Sequence, residues 1–419
     1  MTKPGATARK VDIAAWPFAA ELARLLDVLD RDGEETRVVG GAVRNALIDS
    51  PIHEIDVATT AIPEEVVRRV KAAGFKAVPT GIEHGTVTVV IDKHPFEVTT
   101  LRTDVETFGR HAKVAFGRDW QEDAERRDFT INALSVTRDG TVYDYTGGLD
   151  DLALRRVRFI GDPHKRIAED YLRILRFFRF HAAYGPGGPP DPQGLAACIE
   201  GRDGLDQLSR ERLRMEIMKL LVAPHAVPTL IVMADAGLAL RILSGVTYLA
   251  SFENMAKVEA AIGLAACPVR RLGALAVSVA EDAERLWQRL RLTNNEHVRL
   301  ASMAEGWRRL SPAIGEIGLR ALIYRLGPDA FTDHALLGWA RSWDSANDPS
   351  WIDLARLPQR FTAPEFPLKA ADFIKRGLAK GPPLGAALRA AEASWIAQGF
   401  PDDAGVLEKI ADTAATASS

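Results

Sequence analysis

The stretch Arg37-Val38-Val39-Gly40-Gly41-Ala42-Val43-Arg44, followed by Glu54-Ile55-Asp56, restricts the fold more than any other part of the chain. An apolar run that meets two glycines must end and turn. The residues behind the turn have helical spacing, which predicts a strand at Arg37–Val39, a helix at Gly41–Ile48 and a second strand at Glu54–Thr59. A strand, a glycine turn and a helix N-terminus present free backbone N–H groups and a positive dipole end, which together bind phosphate. Arg44, placed in the first turn of that helix, could add a charge-assisted bond. A tight turn with no ligand is the alternative. Glu54 and Asp56 stand two apart and therefore point to one face of a strand. Two such carboxylates repel unless water or cations intervene, so a wet acidic edge and a two-metal site both remain open.

Around this stretch the chain divides by character. Residues 16–30 form a lead-in helix, and Pro63 opens a helix that ends at Gly74. Short β-branched runs near Lys76–Val78, at Gly85–Ile91 and at Phe96–Leu101 predict strands, the last two forming a hairpin across His94-Pro95. Residues 103–124 lack periodicity and are expected to be a mobile loop, and strands and turns fill Phe129–Gly148. From about Asp162 the pattern is helical to the end, broken by GPGGPPDPQ at 185–193 and by turns at Pro268, Asn294, Pro312, Gly327-Pro328 and Gly381-Pro382-Pro383. The first ten residues and the closing TAATASS are expected to be loose. The fold class is α+β: a head with a mixed sheet at residues 1–160, a helical neck at 161–225, and a helical body and tail at 226–419.

Bulk properties narrow the function. At 419 residues the chain exceeds one ordinary core, so several domains are expected. It is 47% hydrophobic and 26% charged, ordinary for a soluble protein, and no apolar run approaches the roughly 20 residues that span a bilayer. Two cysteines, Cys198 and Cys267, fall in no metal-ligand spacing and suit a reducing cytoplasm. A net charge of −3 means that any nucleic-acid site must be a local basic patch.

Further groups carry chemistry. Glu97, in FEVTTLR, is a third candidate carboxylate from a neighbouring strand, or a solvated one. Arg126-Arg127-Asp128 reads as an ion-pair cluster or, beside phosphates, as a source of one phosphate ligand. Asp170 and Arg173 in EDYLRILRFFRF would be near neighbours on a helix. An intrahelical salt bridge is the plain reading. The sharper one notes that cytosine and adenine each present an amino donor beside a ring-nitrogen acceptor, which an Asp acceptor and an Arg donor match; guanine and uracil do not. Arg176 continues the row. Arg179 turns roughly opposite Asp170, so phosphate or structural duty suits it better than base contact.

GGAVRNALIDSPIHEIDVATT, HGTVTVV, FEVTTLR, RRDFTINAL, YDYTGGLDDL and EDYLRILRFFRF occur in this order. Together they resemble the class II tRNA nucleotidyltransferase and bacterial poly(A) polymerase family. The resemblance is strong over residues 37–222, including SRERLRMEIMKLL, and weaker in LRLTNNEHVRL and KGPPLGAALRA. It implies a polymerase-β-like nucleotidyltransferase head followed by an all-α neck, body and tail. It implies Mg²⁺ held by Glu54 and Asp56, with Glu97 as a further catalytic carboxylate. Nucleotide contacts are implied from Gly40, Gly41, Arg44, Arg127, Asp170, Arg173, Arg176 and Arg179, and residues 103–124 become a loop that helps switch from C to A addition. Two departures stand out. Glu54 replaces the usual first aspartate of the metal motif, and Asn45 replaces the aspartate that usually follows the arginine.

The implied reaction is template-independent transfer of CMP and AMP from CTP and ATP to the 3′ end of tRNA, releasing pyrophosphate. Poly(A) polymerase, a partial CC- or A-adding enzyme and an inactive RNA binder are the rivals. In the helical half, Trp287, Trp307 and Trp343 alternate with arginines, which suits either RNA contact or core tryptophans among solvated arginines.

Overall fold

The computed structural model describes residues 5–81, 85–108 and 111–418. They form two compact units, Met1–Leu238 and Ala239–Ser419.

The first unit is built on an eight-stranded mixed sheet in the order β1-β10-β9-β2-β3-β6-β5-β4. The strands are β1 (Ala6–Lys10), β2 (Thr36–Val39), β3 (Asp56–Thr59), β4 (Lys76–Gly81), β5 (Thr86–Ile91), β6 (His94–Thr100), β9 (Ser135–Val136) and β10 (Thr141–Tyr143). Helices α1 (Ala19–Leu29) and α3 (Pro63–Ala72) pack on each other and on the sheet. Their apolar stripes, Leu22, Leu25, Leu26 and Leu29 on one and Val66 and Val70 on the other, are buried there. Among the described residues only β3 and β6 run parallel, with Asp56 beside Glu97; β2 and β3 run antiparallel, with Val39 opposite Asp56. These two registers bring the end of the glycine strand, the first residue of β3 and Glu97 in the middle of β6 to one place.

Several boundaries differ from the sequence expectation. The acidic strand begins at Asp56, so Glu54 lies in the irregular segment before it. The β5–β6 turn falls at Asp92-Lys93, both with positive φ (48° and 73°), and His94 already pairs with Ile91. That is the geometry of a two-residue turn matching strand twist, so His94-Pro95 belongs to the strand. The N-terminal segment is not loose: β1 pairs with β10, and the Thr7 hydroxyl donates to the Val142 carbonyl at 2.9 Å; residues 1–4 lie outside the described residues. The expected mobile loop at 103–124 is a two-stranded hairpin, β7 (Arg102–Phe108) with β8 (His111–Phe116), followed by α4 (Trp120–Glu125). The alternation of Thr103, Val105 and Thr107 with charged residues is a strand pattern. The closing TAATASS continues the helix Ala404–Ser418, whose Ala411, Ala414 and Ala415 are buried in the tail core; Ser419 lies outside the described residues.

After β10 come α5 (Gly148–Ala153), α6 (Pro163–Glu169), α7 (Leu172–Tyr184), α8 (Pro192–Glu200) and α9 (Arg210–Leu221). Aromatic packing docks α7 on the head. Phe129 lies 4.9 Å from Phe159 and 5.3 Å from Phe180, and Phe159 stacks on Phe177 at 5.3 Å. A half-buried ion pair fixes the orientation. Asp128 Oδ2 accepts from Arg176 Nε at 2.7 Å and lies 2.5 Å from its Nη2. Asp128 Oδ1 accepts from the Phe129 N–H at 2.9 Å and the Asn132 amide at 3.2 Å. The second unit is helical throughout its described residues. Its core includes Asp333, which accepts from Arg270 at 3.0 Å and from Arg299, and Glu259, which accepts from Arg270 at 2.9 Å and from Arg271 at 2.8 Å.

Burial alone would raise the Asp128 carboxyl, but Arg176 outweighs it and the group titrates below the ordinary aspartate value. A depressed carboxylate stabilises the fold above its unfolded value and loses that contribution as pH falls through the folded one. Asp128→Asn is therefore expected to lower stability by about 2–3 kcal/mol at neutral pH. Urea titrations should show that deficit constant down to about pH 4 and closing only below it.

Candidate active site

The double glycine behaves as its sequence suggests. Gly40 follows β2 with φ 71° and ψ −124°, a conformation that only glycine adopts without strain. The helix α2 behind it (Gly41–Leu47) has seven residues, fewer than two turns. Its dipole is accordingly small, and charge at this turn comes from side chains. Arg127 is one source: a Cβ built on Gly40 would stand 3.6 Å from its Nη1. Asp123 holds Arg127 at 3.1 Å and Arg126 at 2.8 Å. Burial would raise the Asp123 carboxyl, but the two arginines hold it below the ordinary range. Arg37, by contrast, is structural. It is buried between the Trp120 ring at 4.0 Å and the Tyr143 ring at 3.6 Å, and Glu35 accepts from its Nη2 at 2.9 Å.

Arg44 does not stand free in the first turn as the spacing suggested. It is buried, 6% exposed, with its guanidinium over the Tyr184 ring at 3.9 Å. Nε and Nη2 donate to Asn45 Oδ1 at 3.2 and 3.0 Å, Nη2 donates to the Tyr184 hydroxyl at 2.6 Å, and Nη1 donates to Asn132 Oδ1. Among the described residues no carboxylate forms an ion pair with it. Burial first of all pulls its guanidinium below the ordinary arginine value, Tyr184 acting in the opposite sense.

Asp56, Glu97 and Glu54 are all exposed to solvent, with Asp56 and Glu97 side by side at the parallel β3–β6 register. Asp56 meets water on one side and crowding protein on the other. That desolvation first, then Glu97 and Glu54, pushes its carboxyl above the ordinary aspartate value, while Arg127 pulls it down. Among the described residues no three His, Cys, Asp or Glu side chains converge to metal-ligating distance. The Asp56–Glu97 pair, with Glu54 next to it, is an all-oxygen, negatively charged donor set of the kind that hard divalent cations take.

Asp170 and Arg173 are not neighbours on one helix. Asp170 caps the end of α6 with extended backbone (φ −157°), and α7 begins at Leu172. Asp170 Oδ1 accepts from the Leu172 N–H at 3.1 Å and Oδ2 from Arg212 at 2.5 Å. Arg173 donates to the Arg166 carbonyl at 2.8 Å and to Glu169. The intrahelical salt bridge is absent between these two, and each group is oriented by a different partner. A cavity of about 350 Å³ adjoins them, lined by Glu169, Asp170, Tyr171, Gln207, Ser209 and Arg212. Arg176 is engaged by Asp128. Arg179 bonds Glu216 on α9 and lies over the Phe180 ring at 4.1 Å.

Sequence reasoning missed Asn132, Tyr184 and Arg212. Asn132 and Arg212 lie within conspicuous motifs, but nothing local marks Tyr184. In the second unit, Trp287 stacks on His297 at 4.6 Å, and Trp307 lies between the guanidiniums of Arg308 at 4.3 Å and Arg341 at 4.6 Å. Arg289 donates to the Ile242 and Arg241 carbonyls at 3.2 and 3.0 Å. These are packing roles. Trp343, Arg308 and Arg309 remain exposed. Among the described residues no helix is long and apolar enough to cross a membrane.

Comparison with known proteins agrees with this arrangement. Residues 36–158 match the family described as "Poly A polymerase head domain", and residues 190–249 match "Probable RNA and SrmB- binding site of polymerase A". The chain is 35% identical over 391 residues to CCA tRNA nucleotidyltransferase 1, mitochondrial, of Homo sapiens, covering 91% of this chain and 88% of that one. It is 32% identical over 385 residues to the CCA-adding enzyme of Limosilactobacillus fermentum, covering 90% and 92%. The crystal structure of the Bacillus stearothermophilus CCA-adding enzyme in complex with CTP superposes with a TM-score of 0.76 at 26% identity, over 96% of this chain and 98% of that one. The glycine turn, the paired carboxylates of β3 and β6 and these full-length likenesses agree: the chain belongs to the family of CCA-adding tRNA nucleotidyltransferases.

Proposed function

We propose that this protein adds CMP and AMP from CTP and ATP to the 3′ end of tRNA, without a nucleic-acid template, and releases pyrophosphate. The observation that carries the reading is the β2–β3–β6 register, which sets Asp56 beside Glu97 and opposite the residue that enters the Gly40 turn. The relationship to tRNA nucleotidyltransferases over nearly the whole chain supports it.

In this reading Asp56 and Glu97, with Glu54, hold a divalent cation, and their oxygen-only chemistry favours Mg²⁺. When bound, the cation lowers the pKa of the attacking 3′-hydroxyl and neutralises charge on the leaving pyrophosphate. Glu54 sits ahead of the strand rather than on it, so its longer side chain reaches the site from a flanking segment. Gly40 and Gly41 let the triphosphate approach the backbone, and Arg127 contacts it. Asp170 and Arg173 read the base edge, their orientations preset by Arg212 and Glu169. Arg176 and Arg179 hold α7 in place through Asp128 and Glu216. The helical second unit, with Trp343, Arg308 and Arg309 exposed, carries tRNA. The Cys198 thiol is buried, and desolvation pushes it above its ordinary value.

The head-domain match favours one rival, poly(A) polymerase. Incubation with tRNA ending at the discriminator base, at C and at CC, with each labelled nucleotide separately, distinguishes the two. Stepwise CMP, CMP, AMP incorporation is expected, and long A tails on unrelated RNA would overturn the reading. Asp56→Ala should lower transfer more than about 100-fold, with tRNA affinity in gel-shift titrations unchanged; surviving transfer would remove Asp56 from metal binding. Arg173→Ala should relax rejection of UTP and GTP by roughly 10- to 100-fold; unchanged selectivity in competition assays would take Arg173 out of base reading.

A further inference from the structure

The buried Arg44 has an unusual set of partners. Every group that touches its guanidinium is neutral: Asn45 Oδ1, Asn132 Oδ1 and the Tyr184 hydroxyl. The nearby carboxylate, Asp128, spends its oxygens on Arg176, Asn132 and Phe129. A charge buried without a counter-ion is destabilising unless something later compensates it. Its position shows what that something is. Arg44 Nη2 lies 3.6 Å from a Cβ built on Gly41, directly under the glycine turn.

Asn45 is shaped for this arrangement. Its Oδ1 accepts from Arg44 Nε and Nη2 and from the Tyr184 hydroxyl at 3.4 Å, and its Nδ2 donates to the Pro51 carbonyl at 2.7 Å. An aspartate there would set a second oxygen against the Pro51 carbonyl and cancel the Arg44 charge. Tyr184 does the complementary work from the last residue of α7. Its ring supports the guanidinium face and its hydroxyl takes one N–H.

We propose that Asn45 and Tyr184 are positioning residues that keep Arg44 a fixed cation with no directly bonded counter-ion beneath the glycine turn, so that its field attracts the nucleotide triphosphate. The inference rests on the reading of that turn as the triphosphate site. The attraction acts through low-dielectric protein, where a fixed charge is felt strongly, and it is indifferent to the base. Arg44 therefore contributes equally to CTP and ATP, and base selection stays with the α6–α7 junction.

The test uses the full-length protein and inorganic tripolyphosphate as a base-free probe, with calorimetry at fixed Mg²⁺. Asn45→Asp should weaken tripolyphosphate binding about tenfold, and should raise KM for CTP and ATP by the same factor with kcat within about twofold. Tyr184→Phe, which keeps the ring and removes only the hydroxyl, should weaken tripolyphosphate binding about threefold and leave the unfolding temperature nearly unchanged. Arg127→Ala is the reference for the phosphate site itself. If Arg127→Ala weakens tripolyphosphate binding while Asn45→Asp and Tyr184→Phe leave it as in the wild type, the positioning role is wrong. A KM rise confined to one nucleotide would also overturn it, since a charge effect on phosphate cannot distinguish bases. If none of the three variants alters tripolyphosphate binding, the glycine turn is not the phosphate site, and the proposal falls with that reading.

Discussion

The contact between Asp128 and Arg176 sets the relation of the site's two halves. One partner comes from the segment that carries Arg127 to the glycine turn, the other from the helix that follows the Asp170 junction. Removing either partner leaves a charge in a poorly solvated place, so the pair holds one geometry rather than a range. Aromatic packing of Phe129, Phe159, Phe177 and Phe180 supplies the bulk of the attraction but little directional preference. The ion pair supplies the direction, and through Asn132 it extends to Arg44.

Charge is distributed unevenly across the first unit. Asp56, Glu97 and Glu54 stand together and raise the energy of the ionised state, which a divalent cation would relieve. On the other side of the glycine turn, Arg44 is buried among neutral acceptors. Charges of both signs thus lie near one turn, the carboxylates at the β3–β6 register and Arg44 against Gly41.

Much of this was legible in the chain. The glycine turn, the Asp56 and Glu97 strands and the change to helices near Asp162 follow from local rules of period, branching and turn chemistry. The errors are equally physical. Residues 103–124 read as a loop because charged positions mask the alternating strand pattern of β7 and β8. The spacing of Asp170 and Arg173 fits one helix, yet the chain breaks at Asp170, whose carboxylate caps the next helix instead of bonding Arg173 three residues on. The β5–β6 turn was misplaced by the pull of Pro95, since Asp92 and Lys93 adopt positive φ without glycine.

By itself the sequence determined the kinds of element, the acidic and glycine groups of the candidate site, and the family, because these depend on neighbours along the chain. Tertiary structure alone decided which partner each charged group takes. Arg44 could have faced a phosphate or a carboxylate; folding sends it to Asn45, Asn132 and Tyr184. Asp170 could have bonded Arg173; folding gives it to Arg212. Such pairings depend on residues tens to more than a hundred positions apart. Local spacing carries no information about which of them burial will bring together.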